Sequence, residues 1–544
     1  MSKKNRIGKI IDSLSEKERA KKEEKKQQAK DGKKKKSNKS KKKQDLELYD
    51  THFENYSIIS PGKFDPFLRE QSRFREGMVI PRELQLGLYD ESGFFFGMTH
   101  ERNVYAGKPA HEDGHILTFG MPGSGKTQGI VIPTMMTWKG IQIIVDVKCN
   151  LKWYWYRLCR HTGKKLKIFS PGASKGATCG YDPFALFHHD GIERLAGNAR
   201  DLALALIPLM ESVKDPVWIK ASQNFLTGAF AYYFGLGATF AEAMVAIQLK
   251  GISEIMDDIM ADDENDEATT IARFYMSKLR EVQEKVLANV GMELSDLANL
   301  ITDPAIVESY HEDELCGTLD WLELTTATEP FDVILEFPEA NLEQWKPLMM
   351  LIINQLIKVL ERRPERTYRQ DEELSPVLVM LDEFPRLGRI SAIQNGLSTL
   401  RSRGVTFALF AQDLAQIWEV YRDAARSMLG KCAYKVVLNS SDPTSQEYFS
   451  KLVGTTESTQ RSVNATHDPT SGRPINYSKS ISETREPIIY PEEFLDQKDV
   501  VVINPQNRFF RVNKSLFAKH AGMFLLPQRG YPLSEPGWEW NLKD

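Results

Sequence analysis

The octapeptide Gly120-Met121-Pro122-Gly123-Ser124-Gly125-Lys126-Thr127 constrains what this chain can fold into more than any other feature. It matches Gly-x-x-x-x-Gly-Lys-Thr at every fixed position, a pattern that requires a strand before it and a helix after it. The apolar residues 116–119 supply the strand, and a helix-compatible stretch follows. The glycines let backbone N–H groups curl around phosphate oxygens without a Cβ clash, and the following helix adds its positive N-terminal end. Gly120, Gly123, Ser124, Gly125, Lys126 and Thr127 are therefore the candidate nucleotide-binding residues. Lys126 is expected to reach the β- and γ-phosphates and the Thr127 hydroxyl to ligate Mg²⁺, so the implied cofactors are ATP and Mg²⁺.

A phosphate loop needs an acid at the end of a second strand. Val377-Leu378-Val379-Met380-Leu381 is an apolar run followed at once by Asp382-Glu383. Acids there stand at the carboxyl end of a central strand, where open α/β sheets bind ligands. Asp382 is expected to hold Mg²⁺ through water and Glu383 to orient and polarise the attacking water. Standing alone, the pair would read as a helix cap or surface acids. Gln412 ends the apolar run 405–410 and is a candidate sensor of the γ-phosphate, or else a cap of the next helix. Arg401 and Arg403 lie between these two runs. Either could reach a neighbouring subunit's nucleotide, or make a surface ion pair.

The short apolar runs at 116–119, 141–145, 166–169, 377–381, 405–410, 435–438 and 500–503 alternate with helical stretches. That alternation predicts an α/β fold with a mostly parallel, buried sheet. Residues 46–110, with the run Gly93-Phe94-Phe95-Phe96-Gly97, read as small strands leading into the core. Five segments are expected: a Lys-rich tail at 1–45, the first part of a nucleotide-binding domain at 46–190, an all-helical insertion at 191–335, the second part at 336–525, and a tail at 526–544. Asp262-Asp263-Glu264-Asn265-Asp266-Glu267 reads as a solvated loop, and the polar stretch 455–482 as a long exposed loop.

Composition excludes several classes. Cys149, Cys159, Cys179, Cys316 and Cys432 are scattered without a Cys-x-x-Cys pair, against a zinc site or disulfide framework and for a reducing cytoplasm. No run approaches the roughly 18 apolar residues of a membrane span, and residues 1–45 lack the apolar stretch of a signal peptide. The net charge of −3 hides an asymmetry: residues 1–44 carry 19 Lys+Arg against 6 Asp+Glu, a net of +13, which leaves −16 for the rest. Such a segment cannot bury enough apolar surface to fold; it reads as an arm for nucleic acid or anionic lipid, or as a solubilising tail.

Leu381-Asp382-Glu383-Phe384-Pro385-Arg386-Leu387-Gly388 resembles the Leu-Asp-Glu-Phe motif, with its later Gly, of TraG/TraD-like type IV secretion coupling proteins. Arg403-Gly404-Val405 with Ala411-Gln412-Asp413-Leu414-Ala415-Gln416 is similar to that family's next motif. Asp146-Val147-Lys148 resembles its Asp-Pro-Lys, Asp215-Pro216-Val217-Trp218 the lead-in to a core helix, and Glu486-Pro487 to Glu492-Glu493 its closing motif. The resemblance covers roughly residues 75–520. It implies a RecA-like P-loop NTPase domain bearing an inserted all-helical domain, and an ATPase assembled as a homo-hexamer around a DNA channel. It implies delivery of a relaxase-bound DNA strand, single or possibly duplex, to type IV secretion channel proteins, with the relaxosome as partner. Carried over by position, Lys126, Thr127, Asp382, Glu383 and Gln412 take the roles above, and the trans-acting arginine maps onto Arg401 before Arg403.

Two departures stand out. Family members usually begin with transmembrane helices where this sequence has its Lys-rich segment, so membrane association is expected to be indirect or through that basic tail, on the cytoplasmic face. Cys149-Asn150 stands where the family often has Gly-Glu. Two other functions fit the same motifs: an ATP-regulated adaptor that recruits substrates without translocation, and a related ring ATPase for DNA packaging. An adaptor has no need of a water-activating acid, so the intact Asp382-Glu383 pair favours hydrolysis.

Overall fold

The computed structural model describes residues 79–516, apart from 88–90, 100–103, 160–161, 174–175, 210–215, 265, 281–283, 314, 367–373, 468–473 and 505–507. The Lys-rich tail 1–45, residues 46–78 and the tail 526–544 lie outside the described residues.

The described strands are β1 (Gln85–Gly87), β2 (Gly93–Met98), β3 (Val104–Pro109), β4 (His115–Phe119), β5 (Ile141–Asp146), β6 (Lys165–Phe169), β7 (Phe331–Glu336), β8 (Val377–Leu381), β9 (Val405–Ala411), β10 (Cys432–Val437), β11 (Thr455–His467), β12 (Pro474–Pro487), β13 (Val500–Asn504) and β14 (Arg508–Val512). Nine of them form one sheet in the order β14-β13-β10-β4-β9-β8-β5-β7-β6. From β10 through to β6 every neighbouring pair is parallel; β13 and β14 add antiparallel at one edge. β4, β5, β8 and β9 are buried along their whole length, as strands covered on both faces must be. Each of the seven apolar runs in the sequence falls on a strand of this sheet.

β1, β3 and β2 make a separate small sheet. Its Phe94, Phe95 and Phe96 are all buried. Phe95 stacks on Tyr105, while Phe96 packs against Tyr434 of β10 and Phe510 of β14. The bulge between Phe95 and Gly97 lets consecutive aromatics face inward instead of alternating.

Contacts divide the described residues into two units: Gly180–Glu312 with Pro347–Ile352, and the remainder. The first is helical. Its longest helix within 180–312, Val217–Gly235, is apolar nearly all round and correspondingly buried. The helix Glu267–Arg280 lies so close to it that a Cβ on Gly235 would meet Ala268 Cβ at 2.5 Å. Phe184 is ringed by Phe187, Phe230, Phe234 and Phe240, an aromatic cluster at the centre of this unit. Among the described residues no helix is long and apolar enough to cross a membrane.

Two expectations need correction. The helical segment does not extend to 335: Phe331–Glu336 is β7, a strand inside the parallel sheet. Its apolar core is broken by Asp332 and Glu336, which disguise it. Both acids are buried, Asp332 held by Lys164 at 2.5 Å and Trp155 Nε1 at 2.6 Å, and Glu336 by Lys152 at 2.9 Å. Nor is 455–482 a loop. β11 and β12 pair antiparallel as a two-stranded ribbon. Its polar sequence carries no one-sided apolar stripe, so its strand character rests on β-branched Thr, Val and Ile alone.

One buried cation gives a pH dependence. Lys108 donates to Pro109 O, Glu112 O and Thr406 Oγ1 at 3.2, 2.6 and 3.1 Å. Burial above all, and then Arg366, push its ammonium down to about 7, with Glu112 and Asp113 opposing. Between about pH 7 and the ordinary lysine value of 10.5, the unfolded chain binds a proton at Lys108 that the folded chain does not. Stability therefore rises with pH across that window. Urea unfolding at pH 7.5 and 9.5 should show the wild type gaining on Lys108→Met, by up to about 1.4 kcal/mol per pH unit. Parallel pH curves would mean the Lys108 ammonium is not depressed.

Candidate functional site

Four loops at the carboxyl ends of parallel strands converge. They are the phosphate loop after β4, residues 147–150 after β5, Asp382-Glu383 after β8, and Gln412 after β9. β9 stands between β4 and β8, so Gln412 emerges between the phosphate loop and the acids. This is the edge at which an open α/β sheet binds ligands.

The loop geometry suits a polyanion. Gly120 N donates to Ala411 O of β9 at 3.2 Å and Met121 N to Asn439 Oδ1, just past β10, at 2.9 Å, tying the start of the loop to the chain on either side of β4. Gly125 has φ +97°, a conformation closed to most L-residues. A π-helical turn, Thr127–Val131, then runs into the α-helix Ile132–Thr137. Ser124 Oγ is buried and has no hydrogen-bond partner among the described residues, so it is free to meet a ligand oxygen. Lys126 is buried and donates to Gly120 O at 2.5 Å. Burial lowers its pKa, opposed chiefly by Glu383 and then Asp382.

Glu383 links the candidates. Its Oε1 lies 4.0 Å from Lys126 Nζ and 3.9 Å from Lys148 Nζ, and its Oε2 accepts from Gln412 Nε2 at 3.2 Å. It is a non-glycine residue with φ +51°, costing about 1 kcal/mol or more relative to ordinary backbone. That conformation begins the turn Phe384–Leu387, which is anchored by Phe384 stacked on Tyr421 at 5.1 Å. Asp382 is buried beside it, and burial pushes its carboxyl up to about 6; Lys148 is the largest opposing influence. A divalent cation at Asp382 would offset that desolvation.

These groups border a cavity of about 480 Å³ lined by Met121, Pro122, Gly123, Gly125, Lys126, Thr127, Gln128, Lys148, Glu339, Glu383, Arg386, Gln412 and Leu516. The structure thus brings Gly123, Gly125, Lys126, Thr127, Glu383 and Gln412 together around one space, with Gly120, Ser124 and Asp382 buried next to it. The residue types fit a magnesium nucleotide: a backbone cradle, the cations Lys126, Lys148 and Arg386, the Thr127 hydroxyl and the buried acids Asp382 and Glu383. Lys148, Glu339, Arg386, Asn439 and Leu516 are additional neighbours that motif reading did not assign. Lys148 and Arg386 stand inside quoted motifs; Leu516 carries no local signal. Asp146 positions Lys148 by accepting from the backbone N–H groups of Lys148, Cys149, Asn150 and Leu151 at 2.7 to 3.0 Å. Cys149 has φ +52°, which accounts for glycine being a natural residue at that place.

The arginines are elsewhere. Arg401–Arg403 is a 3₁₀ turn at the amino end of β9, the opposite edge of the sheet from Gln412. The seven residues of β9, at about 3.3 Å each, separate the two by roughly 20 Å. Arg403 is bound within the chain: it donates to Arg363 O and lies 3.6 Å from Glu365. Arg401 is exposed and makes no side-chain hydrogen bond or ion pair among the described residues.

The family model described as "Type IV secretory system Conjugative DNA transfer" matches residues 85–522. The conjugal transfer protein TraG of Escherichia coli is 25% identical over 412 residues, which are 70% of this chain and 61% of that protein. Protein VirD4 of Rhizobium radiobacter is 26% identical over 410 residues, 72% of this chain and 55% of VirD4. The chain thus spans less than two thirds of either relative. Among solved structures, the plasmid coupling protein TrwB in complex with ADP and Mg²⁺ aligns with a TM-score of 0.52 at 18% identity, over 76% of this chain and 88% of that one. The TrwB complex with the GTP analogue GDPNP gives 0.51, also at 18% identity, over 74% and 85%. These likenesses show a RecA-like P-loop NTPase fold.

Proposed function

Because this chain belongs to the type IV secretory system conjugative DNA transfer family, we propose that it is an ATP-driven coupling protein that moves DNA toward a secretion channel. The observation that carries the reading is Glu383, a buried carboxylate held in left-handed backbone between Lys126 and Gln412. A site that only bound nucleotide would gain nothing from that acid. In this reading Gly120–Thr127 cradles the phosphates, Lys126 faces the β- and γ-phosphates, and Mg²⁺ would be held by the Thr127 hydroxyl directly and by Asp382 through water. Glu383 accepts the proton of the attacking water, and Gln412, bonded to Glu383, registers the γ-phosphate.

The helical residues 180–312 are proposed as the inserted domain, and the assembly as a homo-hexamer around DNA. The relaxosome and the channel proteins are its proposed partners. Docking at the membrane face is assigned to a partner or to the basic segment 1–45, where each lysine near an anionic surface contributes about 1 kcal/mol.

The test is steady-state ATP turnover by purified protein with and without single- and double-stranded DNA. DNA should stimulate turnover, and Lys126→Ala should fall below about a tenth of wild type, a gap of ~1.4 kcal/mol. Turnover indifferent to both kinds of DNA would replace the motor with an ATP-regulated adaptor.

A further inference from the structure

After β14 the chain passes alongside the phosphate loop. Asn513 is pinned by paired backbone hydrogen bonds with Met98, at 3.0 and 3.1 Å. Three residues on, Leu516 comes so close that a Cβ on Gly125 would sit 2.4 Å from its Cδ2, and one on Gly129 3.4 Å from it. Gly125 and Gly129 are one helical turn apart, so Leu516 covers one side of the turn that follows the cradle. It also lines the cavity. An isobutyl group offers nothing to a phosphate.

Gln128 borders the same cavity. Its Nε2 donates to Tyr154 Oη at 3.0 Å, while its Oε1 is buried with no hydrogen-bond partner among the described residues. A buried acceptor left unmet costs about 1–3 kcal/mol, so its persistence points to a ligand donor. An apolar wall with a single polar group beside it is the composition of a site for a flat, partly polar ring.

We propose that Leu516 and Gln128 form the nucleoside subsite, Leu516 against the face of the base and the Gln128 amide hydrogen-bonded to the nucleoside. This deepens the ATP-binding reading above and rests on it. An aliphatic wall does not distinguish adenine from guanine, and an amide can turn to present either its oxygen or its N–H₂. Both purine nucleotides should therefore bind.

Calorimetric titration of the full chain with MgADP, MgGDP and magnesium pyrophosphate tests this, because pyrophosphate has no nucleoside. Leu516→Ala should weaken ADP and GDP together by about fivefold, roughly 1 kcal/mol, and leave pyrophosphate within about twofold. Leu516→Met should recover most of the loss. Gln128→Ala should weaken ADP, whereas Tyr154→Phe, which removes the hydroxyl that Gln128 Nε2 donates to and keeps the ring, should not. Equal weakening of ADP and pyrophosphate in Leu516→Ala would reduce Leu516 to packing of the phosphate loop, and unchanged ADP binding would overturn the subsite outright. Wild-type protein that bound neither ligand would remove the nucleotide reading itself.

Discussion

Glu383→Gln is expected to bind ATP as well as the wild type or better, and to hydrolyse it at least about a hundredfold more slowly, the scale of a lost general base. The surroundings of the side chain set both halves of that expectation. Its two oxygens face Lys126 at 4.0 Å, Lys148 at 3.9 Å and the Gln412 amide at 3.2 Å, all of them cations or N–H donors. A carboxylate satisfies every one. An amide must turn its N–H₂ toward one of them, so the side chain loses its fixed orientation as well as its basicity. At the same time one negative charge disappears from the wall of a cavity meant for a polyanion, which favours binding. Fluorescent-nucleotide titration together with single-turnover hydrolysis separates the two effects. Loss of binding with unchanged folding would make Glu383 a structural residue whose left-handed turn simply shapes the end of β8.

The parts of this site that were legible in the sequence are those whose chemistry is local. The phosphate loop is contiguous, and its Gly, Lys and Thr spacing reports backbone geometry directly. Asp382-Glu383 was legible because an apolar strand ends there, and Gln412 because β9 does too. Their meeting was not legible. It depends on β9 lying between β4 and β8, a strand order that no run of residues states. Leu516 was invisible for the same reason, since nearly four hundred residues separate it from Gly125 and only the antiparallel return through β13 and β14 brings it back. β7 was hidden by chemistry instead: its acids Asp332 and Glu336 break the apolar pattern, and the lysines that neutralise them, with the tryptophan that donates to Asp332, come from residues 152–164. The hairpin of β11 and β12 shows the opposite limit, where pairing arises without any buried stripe to announce it.

Mixing Arg401→Ala subunits with Lys126→Ala subunits should restore ATP hydrolysis that neither variant has alone. Within its own chain Arg401 stands at the amino end of β9, roughly 20 Å along the strand from Gln412. It is exposed, and no acid among the described residues holds it. It therefore has no route to its own nucleotide, while in the proposed ring the site it could complete is a neighbour's. Arg403 is a weaker candidate because its guanidinium is engaged by Arg363 O and Glu365, contacts that would have to break. A trans-acting arginine in phosphoryl transfer contributes on the order of 10³–10⁵ in rate, so Arg401→Ala alone should be almost inactive while still binding ATP. In a mixed ring, some interfaces pair an intact Lys126 site with an intact Arg401 from the adjacent subunit, and those interfaces should turn over. For the same reason wild-type activity should climb more steeply than linearly with protein concentration until the ring is saturated, and DNA should lower the concentration at which that happens. Activity strictly proportional to concentration, with no recovery on mixing, would place the complete site within one chain. Recovery with Arg403→Ala but not with Arg401→Ala would move the role two residues along the turn and require the Glu365 pair to open on assembly.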